Sequence, residues 1–196
     1  NQYGRDFKFQ EFLSQLPAGL THWFLQLFIY AHAAPVAQRV VKKILSPSIG
    51  PFTDRQFLVS KVGTRFLNCL AEADPTSTLD LLELTFGKWS LEELRAWDTG
   101  RQSIVWALEK IAVWKDLFPR AVRVLVHLAL AENADNSNNS KGTLLGLFVT
   151  GLGWAATEAP PSERFPILEE LVRSLDANRR ALGLELCKQW LSIRGG

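Results

Sequence analysis

Along most of this chain apolar residues recur three and four positions apart, and stretches that alternate apolar with polar at every second position are scarce. A period near 3.6 collects side chains on one face of a helix, whereas a half-buried strand needs a period of 2. The chain is therefore expected to be all-α. With 196 residues and 47% hydrophobic content it has enough apolar surface for a substantial core, which argues against intrinsic disorder.

Proline, glycine and capping residues divide the periodic segments. A first helix is predicted from Arg5 to Leu16, stopped by Pro17. A second, Leu20 to Ala33, would carry Trp23, Phe24, Leu27, Phe28 and Ala31 on one buried face, and a third runs from Pro35 to Leu45. After the linker Ser46 to Thr53, Asp54 is placed to cap one long helix with the stripe Val59, Val62, Phe66, Cys69 and Ala73. Asp74-Pro75 opens the next, with Leu79, Leu82, Phe86 and Trp89 inward; Ser90 and Glu93 then form a capping box for a short helix to about Trp97.

Asp98 or Thr99 is expected to cap a helix reaching Trp114, with Ile104, Leu108 and Ile111 inward. Phe118 to Ala131 is apolar on most sides, as the inner member of a layered stack would be. Its polar exceptions, Arg120, Arg123 and His127, share one face. Asn133 to Lys141 reads as a loop, because Asn, Asp and Ser bond to their own backbone. A short helix follows over Gly142 to Phe148, then an irregular stretch to Pro161, then helices Glu163 to Leu175 and Asn178 to Ser192.

Three helix pairs align, and the first two start at Gln56 and Arg101, 45 residues apart. That spacing falls within the period of about 40–47 residues seen in HEAT and armadillo repeats. Residues 1–196 are accordingly expected to form one module of antiparallel hairpins, stacked as a degenerate HEAT/armadillo-like α-solenoid. No side-chain signature recurs between the pairs, so an irregular helical bundle is the alternative.

Charge excludes more than it suggests. Lys and Arg total 22 against 20 Asp and Glu, too even for a strong field toward nucleic acid or anionic membrane. Cys69 and Cys187 lie in apolar helical patterns and are expected to be buried thiols of a reducing, cytoplasmic compartment. The opening Asn1 to Phe9 is polar and charged, unlike a secretory signal. The most apolar run, Trp23 to Ala34, is broken by Gln26 and His32 and falls short of the roughly 20 residues a bilayer requires, so it reads as a core helix. Lacking methionine, the chain is expected to be a segment of a larger polypeptide.

No reaction can be read from the residues. The three histidines are scattered, and neither Cys-x-x-Cys nor His-Glu-x-x-His occurs, so no metal or cofactor is expected. Asp135 to Asn139 begins like a calcium loop but has Ser140 at the sixth position and Gly146 at the twelfth. A Gly-x-Ser-x-Gly elbow is missing, and the adjacent carboxylates Glu92-Glu93 and Glu169-Glu170 diverge on their helices. Trp89 and Trp106 read as packing residues. Trp97, Asp98 and Arg101 resemble the residue types with which helical-repeat DNA glycosylases hold a base, making a glycosylase or hydrolase the remotest alternative.

Two kinds of recognition surface remain. The Asn-rich loop, with Asn136, Asn138 and Asn139, is longer than most helix connections, and loops on helical scaffolds often carry recognition. Arg39, Lys42 and Lys43 share a helix face suited to phosphate contacts, and with the Arg120, Arg123 and His127 stripe they define a nucleic-acid-binding alternative.

One segment resembles a known family. Gly100-Arg101-Gln102-Ser103-Ile104-Val105-Trp106, Leu108-Glu109, Leu117-Phe118, Leu128 to Asn133, Asn138-Asn139, Gly142-Thr143 and Leu147-Phe148 are similar to helical regions of large bacterial P-loop proteins of the signal-transducing ATPase (STAND) type. Leu70 to Pro75 and Arg164 to Leu171 continue the likeness. The resemblance implies a noncatalytic sensor or scaffold arm whose ATPase lies elsewhere on the polypeptide. This chain has no Gly-rich segment ending in Gly-Lys-Ser or Gly-Lys-Thr with which to bind the nucleotide itself. A module that contacts a protein partner, or other domains of its own polypeptide, is the expectation carried forward.

Overall fold

The computed structural model describes residues 15–27, 29–30, 34–132, 139–149 and 157–192. Among the described residues every regular element is helical and none is a strand. In chain order they are α1 (Ala18–Leu27), α2 (Pro35–Ile44), α3 (Arg55–Val59), α4 (Lys61–Ala73), α5 (Pro75–Leu84), α6 (Leu91–Ala96), α7 (Arg101–Ile111), α8 (Phe118–Leu130), α9 (Ser140–Leu147), α10 (Pro161–Val172) and α11 (Ala177–Leu191). Short 3-10 turns occupy Pro51–Thr53 and Phe86–Lys88. The predicted Arg5 to Leu16 helix lies almost wholly outside the described residues, as do Phe28, Ala31 and His32.

Local chemistry sets most boundaries. Asp54, Ser60, Asp74, Ser90, Asn139 and Asp176 each accept a first-turn amide with the side chain. Each such cap is worth about 1 kcal/mol, because it satisfies an N–H that the helix itself leaves unpaired. At Ser90 the box is reciprocal: the Ser90 hydroxyl accepts from the Glu93 amide, and the Glu93 carboxylate accepts from the Ser90 amide.

Packing runs between sequential neighbours and between alternate helices. α4 lies along α7 and α5 contacts α8, while α4 with α5 and α7 with α8 make two successive hairpins. α9 closes onto α8 and α7, and α10 pairs with α11 against α8. The core holds Phe66, Leu67 and Leu70 of α4, Leu79 and Leu82 of α5, Ile104, Leu108 and Ile111 of α7, and Phe118, Val122 and Leu125 of α8. α8 is the inner member, touching α5, α6, α7, α9, α10 and α11.

α4 and α7 approach closely where α7 begins. Gly100 sits at φ +81°, and a Cβ there would come within 2.2 Å of the Thr64 Oγ1 on α4. Both the left-handed backbone and the lack of space call for glycine. Beside it Arg101 is buried and donates to three main-chain carbonyls: Leu94 at 2.7 Å, Leu128 at 2.7 Å and Ala131 at 3.0 Å. The last two belong to the C-terminal end of α8, whose carbonyls have no partner within the helix. Glu132 stands 3.8 Å from Arg101 Nε and accepts from the amide and hydroxyl of Ser140, the first residue of α9. One guanidinium thereby ties together α6, α7, the end of α8 and, through Glu132, the start of α9.

Several expectations need correction. The helix predicted from Asp54 to Ala73 is two helices, broken at Ser60, whose extended backbone restarts α4 with a new cap. At Gly63 a Cβ would meet the Phe57 carbonyl at 2.0 Å, so α3 can fold back only onto a glycine. α7 is capped neither by Asp98 nor by Thr99; Gly100 holds the N-cap position without a side-chain bond, and the helix ends at Ile111. On α1 Leu25 is buried, while Trp23 and Leu27 are 70% and 66% exposed. Apolar residues surround that helix, so hydrophobicity alone does not choose the buried face. Cys69 is buried as expected, whereas Cys187 is half-buried.

Candidate functional site

The basic stripe on α8 faces carboxylates from neighbouring helices. Arg120 donates through Nε to Glu83 at 3.0 Å and through Nη2 to Asp80 at 2.6 Å, and these hydrogen bonds, Glu83's first, hold it firmly protonated. Arg123 pairs with Glu170 on α10 at 3.2 Å, and His127 Nε2 lies 2.6 Å from the Trp89 carbonyl. All three side chains thus bridge α8 to its neighbours. As ion pairs near the surface, these three arginine contacts contribute little stability, about 0–1 kcal/mol each.

Arg39, Lys42 and Lys43 are exposed on α2. Lys42 lines an open cleft of about 580 Å³ together with Ser77, Asp80, Glu83 and Lys88. Two of those residues, Asp80 and Glu83, are the carboxylates that Arg120 holds. Arg120 therefore meets this mixed-charge cleft only through the two carboxylates it holds, while Arg123 and His127 engage other elements.

Of the asparagine loop, Asn136 and Asn138 lie outside the described residues. Asn139 accepts from the Gly142 amide at 2.7 Å and caps α9. With Ser140 tied to Glu132, the C-terminal edge of that segment is a structural anchor.

Trp97 is buried and stacks on Phe86, with ring centres 4.5 Å apart, and Trp89 meets both rings. Arg55 lies 4.3 Å above the Trp89 ring and donates to Glu93 at 2.8 Å. Bonds from Arg55 and from Ser90 together hold the Glu93 carboxyl at about 2, well below its ordinary range. Trp97 and Arg101 are thus occupied by packing and by main-chain carbonyls, and Asp98 is exposed.

Two features escaped sequence reasoning. The first is a concentration of exposed apolar side chains in one stretch of the chain: Leu20, Trp23, Leu27, Tyr30, Val36, Val40 and Ile49. They make up half of the large hydrophobic residues exposed anywhere among the described residues, yet fall within thirty positions. Leu20, Trp23 and Leu27 follow one another at helical spacing along α1. The signal lay in the all-round apolar character of that helix.

The second is a groove of about 390 Å³ between α1, α4 and α7. Leu25, Val62 and Cys69 supply apolar walls, Trp106 stands at the side, 42% exposed, and Lys61 and Arg65 are exposed on α4. Burial pushes the Cys69 thiol up to about 11, so at neutral pH it is a small apolar group. Trp106, expected to be a packing residue, is instead exposed at the groove's edge.

Among the described residues no group of three or more His, Cys, Asp or Glu is placed to hold a metal ion, and no helix is long and apolar enough to cross a membrane. Compared with known families, curated proteins and solved structures, the chain finds no match.

Proposed function

We propose that this chain is a noncatalytic protein-interaction module, a helical arm that docks a protein partner or another part of its own polypeptide. The observation that carries this is the exposed apolar surface of α1, α2 and the residues beside them. Exposed apolar side chains gathered in this number, as opposed to scattered singly, commonly mark protein contacts. Stacked antiparallel hairpins suit such a role, and the pairing of α4 with α7 and α5 with α8 supports a HEAT/armadillo-like stack. The resemblance of Gly100 to Phe148 supplies the setting we favour: a cytoplasmic STAND-type bacterial protein whose ATPase lies elsewhere on the chain.

The engagement of Arg120 and Arg123 by carboxylates favours a protein partner over nucleic acid, since phosphates would have to displace Glu83, Asp80 and Glu170. A photo-crosslinking residue placed at Tyr30, with one at the still more exposed Leu175 as control, tests the role in the native host. A polypeptide adduct specific to Tyr30 is expected. Equal labelling at both positions, or an adduct sensitive to nuclease and not to protease, would overturn it.

A further inference from the structure

We infer that the groove between α1, α4 and α7 receives a short acidic peptide segment with an apolar side chain at its centre. This rests on the interaction role proposed above and names the chemistry of one partner element.

The groove's size lies within the range of about 300–1,000 Å³ typical of ligand pockets. Its charge has one sign: Lys61 and Arg65 line it, and no carboxylate does. These cations are four residues apart on α4 and so project from the same face. Glu72, further along α4, is held by Lys110. Acidic side chains would meet both cations without displacing an existing partner acid from the lining.

Depth supplies a second requirement. Asn68 lines the groove, and its Oδ1 is buried without a hydrogen-bond partner. A buried acceptor left unpaired is costly, so turning the Asn68 amide toward an N–H donor seated in the groove would relieve that cost. Peptide main chain brings such a donor at every residue. Leu25, Val62 and Cys69 then provide the apolar wall for one side chain, and Trp106 offers it an aromatic face. Gln26, whose Nε2 makes only a long contact of 3.8 Å to the Cys69 sulfur, retains donors for a peptide carbonyl. An N–H donor, an apolar anchor and acidic flanks occur together in an acidic peptide.

The test uses the full chain and fluorescein-labelled pentapeptides of the form Glu-Asp-X-Asp-Glu, with X as Phe, Trp, Leu or Ile, followed by anisotropy at two salt concentrations. At least one peptide is expected to bind with Kd below about 1 mM, more weakly at high salt, while Lys-Arg-X-Arg-Lys peptides do not. Reversing Lys61 and Arg65 together to Glu should weaken binding at least about tenfold with the helical spectrum unchanged, because both are exposed. Trp106→Ala should weaken it too, and Asn68→Leu should do so without loss of stability. Absence of binding by every acidic peptide, equal binding of the basic ones, or unchanged affinity in the double reversal would overturn the assignment. So would adenosine monophosphate binding in place of the peptides. Crosslinking from Tyr30 that persists in the double reversal would leave the interaction role standing while removing the groove from it, if the peptides also fail to bind. Peptide binding without the Tyr30 adduct would retain the groove and remove the α1–α2 surface.

Discussion

Replacing Arg101 by Met should destabilise this protein more than any surface substitution, and the structure says by how much. The guanidinium donates to the carbonyls of Leu94, Leu128 and Ala131 and lies beside Glu132, whose carboxylate anchors Ser140. Hydrogen bonds to a charged group are worth about 1.5–3 kcal/mol each, but water entering the vacated space recovers part of the loss. The guanidinium's own burial cost, seen as a pKa lowered mainly by desolvation, is also returned. The net expectation is that for breaking a buried ion pair from one side, about 3–5 kcal/mol. For a chain of this size that corresponds to a fall in Tm of roughly 6–20 °C.

Urea unfolding followed by circular dichroism measures the change, and hydrogen exchange locates it. Protection should fall first at the end of α8 and the first turn of α9, where the orphaned groups sit. Adding Glu132→Gln to Arg101→Met should cost less than two independent losses, because the second change removes a charge whose neighbouring cation the first has taken away. Stability within about 1 kcal/mol of the parent in Arg101→Met would refute the view that this residue holds four elements together.

Further tests follow from individual contacts. Gly100→Ala should cost more than about 1 kcal/mol in thermal unfolding, since it places a Cβ against Thr64 and forces a left-handed backbone. The Glu93 carboxyl should titrate near 2 by carbon NMR. Because its folded pKa lies below the ordinary 4.5, its stabilisation is present above that value and is lost as pH falls through about 2; Arg55→Ala should raise the midpoint. Cys187 should react with a thiol reagent before Cys69, whose thiol burial holds near 11; equal rates would contradict that difference. Replacing residues 133–138 by a Gly-Ser linker should cost about 1 kcal/mol or less, since loop-closure entropy varies slowly with length, whereas extending the replacement through Ser140 should add the loss of the Asn139 cap and the Glu132 anchor, read by the same urea titration.

The helical class, the capping box at Ser90 and Glu93, the cap at Asp54, the break at Asp74-Pro75 and the inner position of α8 were all legible in the residues. Each depends on chemistry within a few positions along the chain or on the width of one helix's apolar stripe, and both are local properties. Tertiary packing decided the remainder. Ser60 breaks a helix that the periodicity would have continued, because α3 turns back onto Gly63; Gly100 replaces Asp98 as the N-cap because α7 passes so close to Thr64. Arg120 and Arg123 form a basic stripe in sequence and engage carboxylates in the fold, since Asp80, Glu83 and Glu170 come from 37 to 47 residues away. The groove by Trp106 and the open face of α1 depend likewise on which helices are neighbours. Periodicity shows that a helix has apolar sides, but which of them is covered is determined by partners distant in the chain, and no local pattern encodes that choice.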